Sequence, residues 1–235
     1  RFMGSDGLNL TREQERNIER VFFREDYRRA YLEEIGNIEY ARDAVEVYGR
    51  GYLKALDVEA IREARFKVVA DYAYAPAVDV LPQLLDALKV DAVPLNARVD
   101  ASKVSILQNE FRAGRAQLAR ITQVIQNVSL GVRLDVGGEK LFVADDQGNT
   151  VSDPVMCAAM AALVFRTYPG STVVVTADQP LLYERLAEIY GGHVRRCPAD
   201  PQALMQAAAD GGVAMAGDGT GYFVFPALHP AIDGL

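Results

Sequence analysis

The chain is poor in the residues that build metal and redox centres. Its 235 residues include two cysteines, Cys157 and Cys197, and two histidines, His193 and His229. No C-x-x-C occurs and no histidine stands at ligand spacing from either cysteine, which excludes the usual zinc sites and a disulfide framework. The cysteines are expected to be reduced, buried thiols. The histidines lack a matched serine or carboxylate partner in the sequence, so structural or surface roles are expected for them. Positive charge is scarce as well: 25 Lys and Arg against 32 Asp and Glu leave a net charge of −7, with the signs interspersed. There is no basic stripe for a nucleic-acid backbone to follow. No apolar run approaches the roughly 20 residues of a membrane span, and the N-terminus lacks the charged-then-apolar pattern of a leader. The composition therefore reads as soluble and cytoplasmic, with neither nucleic acid nor membrane as partner. The chain opens on "RFMGSDGLNL" without methionine and stops at "HPAIDGL". Both ends are expected to be cuts through a longer protein.

What is present is enough apolar residue for a substantial core, 50% of the chain, and a length that suits about two domains. Thr11 with Gln14 forms a capping box ahead of a helix over about Arg12 to Arg24, whose apolar face holds Ile18, Val21 and Phe22. The arginines beyond it, Arg24, Arg28 and Arg29, have acidic neighbours at helical spacing and read as a solvated face. A second helix, "EYARDAVEVYGRGYLKAL", carries a stripe of Ala41, Ala44, Val45, Tyr48, Tyr52, Leu53 and Leu56. "DVEAIREAR" supplies a third. The pattern then becomes strand "FKVVADYA", helix "VDVLPQLLDALK", strand "VDAVPLNA", which implies a parallel βαβ unit. A long helix within Ser102 to Asn127 comes next, then strand "LGVRLD" and a hairpin in "LFVADDQGNTV" that turns at Gly148 and Asn149. Helix "PVMCAAMAALVFRTY" stops at Pro169 and Gly170. A second unit runs through "STVVVTA", "PLLYERLAEIYGG", "HVRRC", "PQALMQAAAD", "GVAMAG" and "YFVFP".

These residues carry a family resemblance. "KVVADYAYAPAVDVLPQLLDALKVDAVPLNA", "LFVADDQGNTV", "GSTVVVTA", "GDGTGYFVFP" and "HPAIDGL" together resemble the second and third domains of the phosphohexomutases, the phosphoglucomutase and phosphomannomutase superfamily. "GSDGLNLT", "FFREDYRRA" and "EIGNI" resemble the end of that family's first domain and its connector. More narrowly, "FFREDYRRA", "LDVEAIREARFKVVADYAYA" and "ALMQA" resemble the mutase-like C-terminal region of bacterial proteins with an N-terminal sugar-1-phosphate nucleotidyltransferase domain, often labelled mannose-1-phosphate guanylyltransferase. The resemblance implies an α/β fold: two consecutive α/β/α domains with mixed sheets, residues 57–152 and 153–235, behind a helical segment, residues 1–56, that ends a first domain.

Family members move phosphate between the 1 and 6 positions of a hexose. They use a phosphoserine, a magnesium ion held by a D-G-D-G-D-R loop, a G-E-x-S-G-H loop that grips sugar hydroxyls, and a fourth domain that binds the other phosphate. The counterpart of the metal loop is "DVGGEK". Asp135 keeps the first carboxylate, Gly137 stands at the second, Glu139 replaces the third and Lys140 the arginine. Magnesium demands near-octahedral oxygen ligands at about 2.0–2.1 Å, so this loop is either an ordinary turn or a weak residual Mg2+ site on Asp135 and Glu139. The counterpart of the sugar loop is Asp218, Gly219, Thr220, Gly221 and Tyr222, which keeps a carboxylate, a hydroxyl and two glycines. It can pair with vicinal sugar hydroxyls, or it can be a tight turn. A dinucleotide fingerprint it is not, because a β-rich run stands where a helix should start. Where the family has a phosphate-contacting lysine, Gln202 stands, and alternation along "HVRRC" allows at most one of Arg195 and Arg196 to face a cleft.

No catalytic residue and no cofactor are therefore assigned within the chain. The expected partners are the missing first mutase domain and nucleotidyltransferase domain of the parent, a hexose phosphate, and a second copy in a homo-oligomer. The expected function is a non-catalytic, mutase-like module of a sugar-phosphate nucleotidyltransferase. The alternatives are a fragment of a working phosphohexomutase and a phosphosugar-sensing domain.

Overall fold

The computed structural model describes residues 2–40, 43–103 and 108–234. Helix α1, Arg12–Phe23, starts on the expected box: the Gln14 amide donates to Thr11 Oγ1 at 3.3 Å and the Thr11 amide to Gln14 Oε1 at 3.0 Å. This satisfies two of the donors that a helix start leaves open. Its expected apolar face is largely uncovered by the described residues: Ile18 is half-buried, but Val21 and Phe22 are exposed. Arg28 pairs with Glu34 and Arg29 with Glu25, on the surface as expected. Helix α2, Ala44–Ala55, continues through Gly49 and Gly51, and α3, Val58–Ala64, is capped by Asp57, which accepts from the Ala60 amide. Ala41, part of the expected stripe on α2, lies outside the described residues.

Beyond α3 stand two sheets with one plan. The first contains β1 (Lys67–Asp71), β2 (Asp91–Leu95), β3 (Leu130–Leu134) and β4 (Leu141–Ala144) in the order β2-β1-β3-β4. Its helices are α4 (Leu81–Ala87) and α5 (Gln108–Val124). The long helix expected within Ser102 to Asn127 is α5; residues 104–107 lie outside the described residues. The second contains β5 (Thr172–Thr176), β6 (His193–Cys197), β7 (Val213–Gly217) and β8 (Phe223–Val224) in the order β6-β5-β7-β8. Its helices are α6 (Asp153–Thr167), α7 (Leu182–Tyr190) and α8 (Pro201–Ala209). In each sheet two pairings are parallel, made through helical crossovers, and the last is an antiparallel hairpin.

Central strands covered on both faces need apolar residues at successive positions, which is why "KVVAD" and "TVVVT" read as runs rather than alternations. Val173 and Val175 pack with α6 and α7 through Phe165, Cys157 and Tyr183, while Val174 packs with Leu204 and Met205 of α8. Val69 meets Leu118 and Ala119 of α5, and Ala70 faces Ala77, with Leu81 and Leu85 of α4 packed alongside. Each sheet is thus the middle layer of an α/β/α sandwich. Burying a side chain as large as Phe165 is worth about 1.5–3 kcal/mol, and every layer repeats the gain.

The first sheet holds one hairpin more than expected. The main hairpin of the first sheet is β3–β4, closed by the "DVGGEK" bend with Leu134 opposite Leu141. The hairpin expected in 141–151 also forms, as a short one: Ala144 and Thr150 make an antiparallel bridge, flanked by Asp145 N to Asn149 O and Val151 N to Val143 O, both 2.9 Å. There Asp145 Oδ1 accepts the Gln147 and Asn149 amides at 3.0 and 2.7 Å, and the chain turns away into α6.

Candidate functional site

The "DVGGEK" bend is built on Asp135. Its carboxylate Oδ1 accepts the amides of Glu139 (2.7 Å) and Lys140 (3.0 Å), and the backbone closes with Asp135 N to Lys140 O and Gly138 N to Asp135 O, both 3.1 Å. Gly138 takes the left-handed turn with φ +68°. A carboxylate engaged in this way acts as a turn cap. A Cβ placed on Gly137 would lie 3.3 Å from Glu139 Cγ and 3.4 Å from its Oε2, so the Glu139 side chain folds back toward the glycine. Among the described residues no group of three or more His, Cys, Asp or Glu could hold a metal ion. The magnesium that the loop's resemblance implies does not fit these residues: one acidic position is a glycine and the first carboxylate already caps the turn.

The bend is also covered from behind. Gly234 donates to Gly138 O at 2.9 Å, and the preceding Asp233 accepts from Tyr48 Oη (2.5 Å) and Tyr52 Oη (2.8 Å) of α2. Burial, with the neighbouring carboxylate, pushes both phenols well above their usual range, so they remain donors. Beside this clasp lies a cavity of about 340 Å³, bordered by Tyr48, Pro76, Gly137, Glu139, His229 and Asp233.

The "GDGTGY" loop joins β7 to β8, the place that "DVGGEK" holds between β3 and β4. Asp218 Oδ1 accepts the amides of Thr220 (2.8 Å) and Tyr222 (3.1 Å), and Thr220 donates its hydroxyl to Asp218 Oδ2 at 2.5 Å. Thr220 is exposed at the tip and Asp218 is half-buried. The carboxylate and hydroxyl expected to face a sugar therefore stand together.

The two loops meet. Lys140 and Tyr222 form an antiparallel bridge, and Leu141 N donates to Gly221 O at 3.1 Å. The Lys140 ammonium donates to Thr220 Oγ1 at 3.2 Å and sits 4.3 Å from the centroid of the Tyr222 ring. Lys140 thus adds a cation to the second loop's carboxylate and hydroxyl, a member of the site that sequence reasoning did not include. Nothing local could have revealed it, because 80 residues separate Lys140 from Thr220.

The other candidate positions are occupied structurally. Gln202 lies in the first turn of α8, whose cap Asp200 accepts from the Ala203 amide and from Arg12. Arg195 donates to Ala207 O, and Arg196 is bound to Glu184 at 2.8 and 2.9 Å, so both guanidiniums hold the fold together. Cys157 and Cys197 are free and buried, as expected, and burial pushes both thiols up, which disfavours a nucleophilic thiolate. His229 accepts the Ala231 amide at Nδ1.

No protein-family model matches the chain. A phosphoglucomutase/phosphomannomutase of Thermococcus kodakarensis is 26% identical over 229 residues, covering 97% of this chain and 50% of the relative. A phosphopentomutase of the same organism is 28% identical over 196 residues, covering 82% and 42%. Among solved structures, a phosphoglucomutase/phosphomannomutase family protein from Burkholderia thailandensis superposes with a TM-score of 0.72 at 18% identity, covering 97% of this chain and 48% of its own. The chain spans about half the length of the curated relatives it matches. No helix among the described residues is long and apolar enough to cross a membrane. Its homologues are phosphomutases: the chain is similar to them in sequence and shares its fold with a phosphoglucomutase/phosphomannomutase family protein.

Proposed function

We propose that this chain is a non-catalytic, phosphohexomutase-like module that recognises a hexose phosphate through Asp218 and Thr220, with Lys140 facing the phosphate. One observation carries the reading: of two equivalent loops, each with its aspartate capping the turn, the first gathers no carboxylate cluster among the described residues, while the second sets an exposed hydroxyl between that carboxylate and an ammonium group. Phosphoryl transfer depends on positioning and on electrostatic stabilisation of the moving group, and a loop that no longer gathers carboxylates supplies little of either. Recognition needs less. A carboxylate and a hydroxyl pair with vicinal sugar hydroxyls, and a cation with the phosphate.

Two measurements test this. A coupled assay for hexose 1- to 6-phosphate isomerisation by the full-length protein, with magnesium and a hexose bisphosphate, is expected to show no turnover; substantial turnover overturns the non-catalytic part. Titration calorimetry with mannose and glucose phosphates is expected to show binding that Asp218→Ala abolishes; no heat at millimolar ligand removes the recognition part.

The resemblance of "FFREDYRRA" and "ALMQA" supports placing the module behind a sugar-1-phosphate nucleotidyltransferase domain in nucleotide-sugar synthesis. Guanylyltransferase activity in the full-length protein tests that placement. A working mutase is the second reading, favoured by the phosphomutase names of the homologues. A serine loop of T-A-S-H-N-P type upstream, together with turnover, would establish it.

A further inference from the structure

The two loops differ in how they keep their shape. The 135–140 bend closes on itself with two backbone bonds of 3.1 Å. Among the described residues the 218–222 loop has one such closure, Asp218 N to Tyr222 O, and at 3.4 Å it is long. Beyond the bonds to the Asp218 carboxylate, its shape draws on contacts from outside: residues 140 and 141 hold the Thr220–Tyr222 side, and Gln179, in the segment between β5 and α7, holds the Asp218–Gly219 side. Gln179 Nε2 donates to Asp218 O at 2.8 Å, and its carboxamide lies where a Cβ on Gly219 would have to go. Gly219 has φ +69°, so the loop presses one of its two positive-φ glycines, the other being Gly221, against that amide.

Gln179 is itself held firmly. Arg196 donates to the carbonyls of Thr176 (3.4 Å), Ala177 (3.3 Å), Gln179 (2.7 Å) and Pro180 (3.1 Å), wrapping the segment around one guanidinium that Glu184 neutralises. Tyr183 is fully buried, and its hydroxyl lies 3.5 Å from Gln179 Oε1. The path therefore runs from a fixed ion pair through a pinned segment to one amide, and from that amide to the carbonyl of Asp218. Fixing that carbonyl fixes the direction of the Asp218 carboxylate, from which every side-chain contact inside the loop radiates.

We infer that Gln179 is the positioning residue of the hexose-phosphate loop: it touches no ligand and holds Asp218 and Thr220 in the geometry that does. The inference rests on the functional reading of 218–222, and the experiment separates the two. Amide hydrogen exchange and calorimetry with glucose and mannose phosphates are measured on the full-length wild type, Gln179→Ala and Gln179→Glu. The glutamate keeps the volume but puts a second acceptor against the Asp218 carbonyl, so both variants should behave alike. Expected are exchange at least tenfold faster at the Thr220 and Tyr222 amides, unchanged exchange in the sheets, a thermal midpoint within about 2 °C, and at least tenfold weaker hexose phosphate binding. A residue that served only general stability would move the midpoint together with the binding. Exchange at Thr220 and Tyr222 within twofold of wild type in either variant overturns the inference. Faster loop exchange in the variants of a protein that binds no hexose phosphate sustains the positioning role and removes the binding reading.

Discussion

The 135–140 and 218–222 loops hold the same place in two successive sheets of the same strand order, and each begins with an aspartate that accepts two backbone amides. The residues beyond the aspartate differ. After Asp135 come a glycine and a glutamate folded back toward it, whereas after Asp218 come a threonine whose hydroxyl reaches the second carboxylate oxygen and a tyrosine ring beneath Lys140. The shared aspartate is thus what this hairpin position requires of its first residue, and by itself it says nothing about a ligand. The informative residues are those the turn does not need. The same contrast runs through the strands: β1 ends in Asp71, locked to Arg133 of β3 with both side chains buried, whereas β5 ends in buried Thr176.

Four changes would break or sharpen this comparison. Asp71→Ala leaves the Arg133 guanidinium buried without its counter-charge, which should lower stability by about 3–5 kcal/mol in urea unfolding. Making the first sheet resemble the second, with Asp71→Thr and Arg133→Val together, should restore most of that loss; a single-variant loss below about 1 kcal/mol would show that the pair is not a point of real difference. Next come the loop glycines. Gly219→Ala forces a side chain into a left-handed position against Gln179 and should lose about 1–3 kcal/mol along with hexose phosphate binding. Gly137→Ala, with no such φ and only the flexible Glu139 to displace, should be neutral or stabilising by up to about 1 kcal/mol. Equal effects in the two loops would contradict the account of either.

Third, magnesium at 10 mM should leave the wild-type melting temperature unchanged within about 1 °C. Gly137→Asp with Glu139→Asp should gain a magnesium-dependent stabilisation, about 1.4 kcal/mol when the ion is at ten times its Kd. The smallest effect concerns pH. The hydrogen bond from Arg196 holds the Glu184 carboxyl below its usual value of 4.5. A depressed carboxylate adds stability that is present above the unfolded value and is lost as pH falls through the folded one. The melting temperature should therefore drop more steeply below about pH 4.5 in the wild type than in Glu184→Gln. Parallel curves would show that this pair does not support the segment carrying Gln179.

The order of elements was legible because central strands and helix faces print themselves locally: "KVVAD" and "TVVVT" are runs that only two-sided burial explains, and Thr11 and Gln14 cap a helix within four residues. The shortage of carboxylates in "DVGGEK" was legible too, since a glycine at position 137 carries no side-chain oxygen in any fold. Other features were not. The turn at Gly148 and Asn149 carries a strong signal and forms where expected, whereas the weaker signal in "DVGGEK" hid the longer β3–β4 hairpin. Helix α1 has the periodicity of a packed helix, yet the described residues leave its apolar face largely uncovered.

The amino-acid order alone determined the secondary elements, their parallel crossovers and the absence of a carboxylate at position 137, because each is written in the residues of one element and its neighbours. Only the tertiary structure decided that Lys140 joins Asp218 and Thr220, that Asp71 neutralises Arg133, and that Gln179 supports Gly219. Those contacts join residues 80, 62 and 40 positions apart along the chain, and charge or hydrogen-bonding capacity has no partner until folding brings one within about 3 Å.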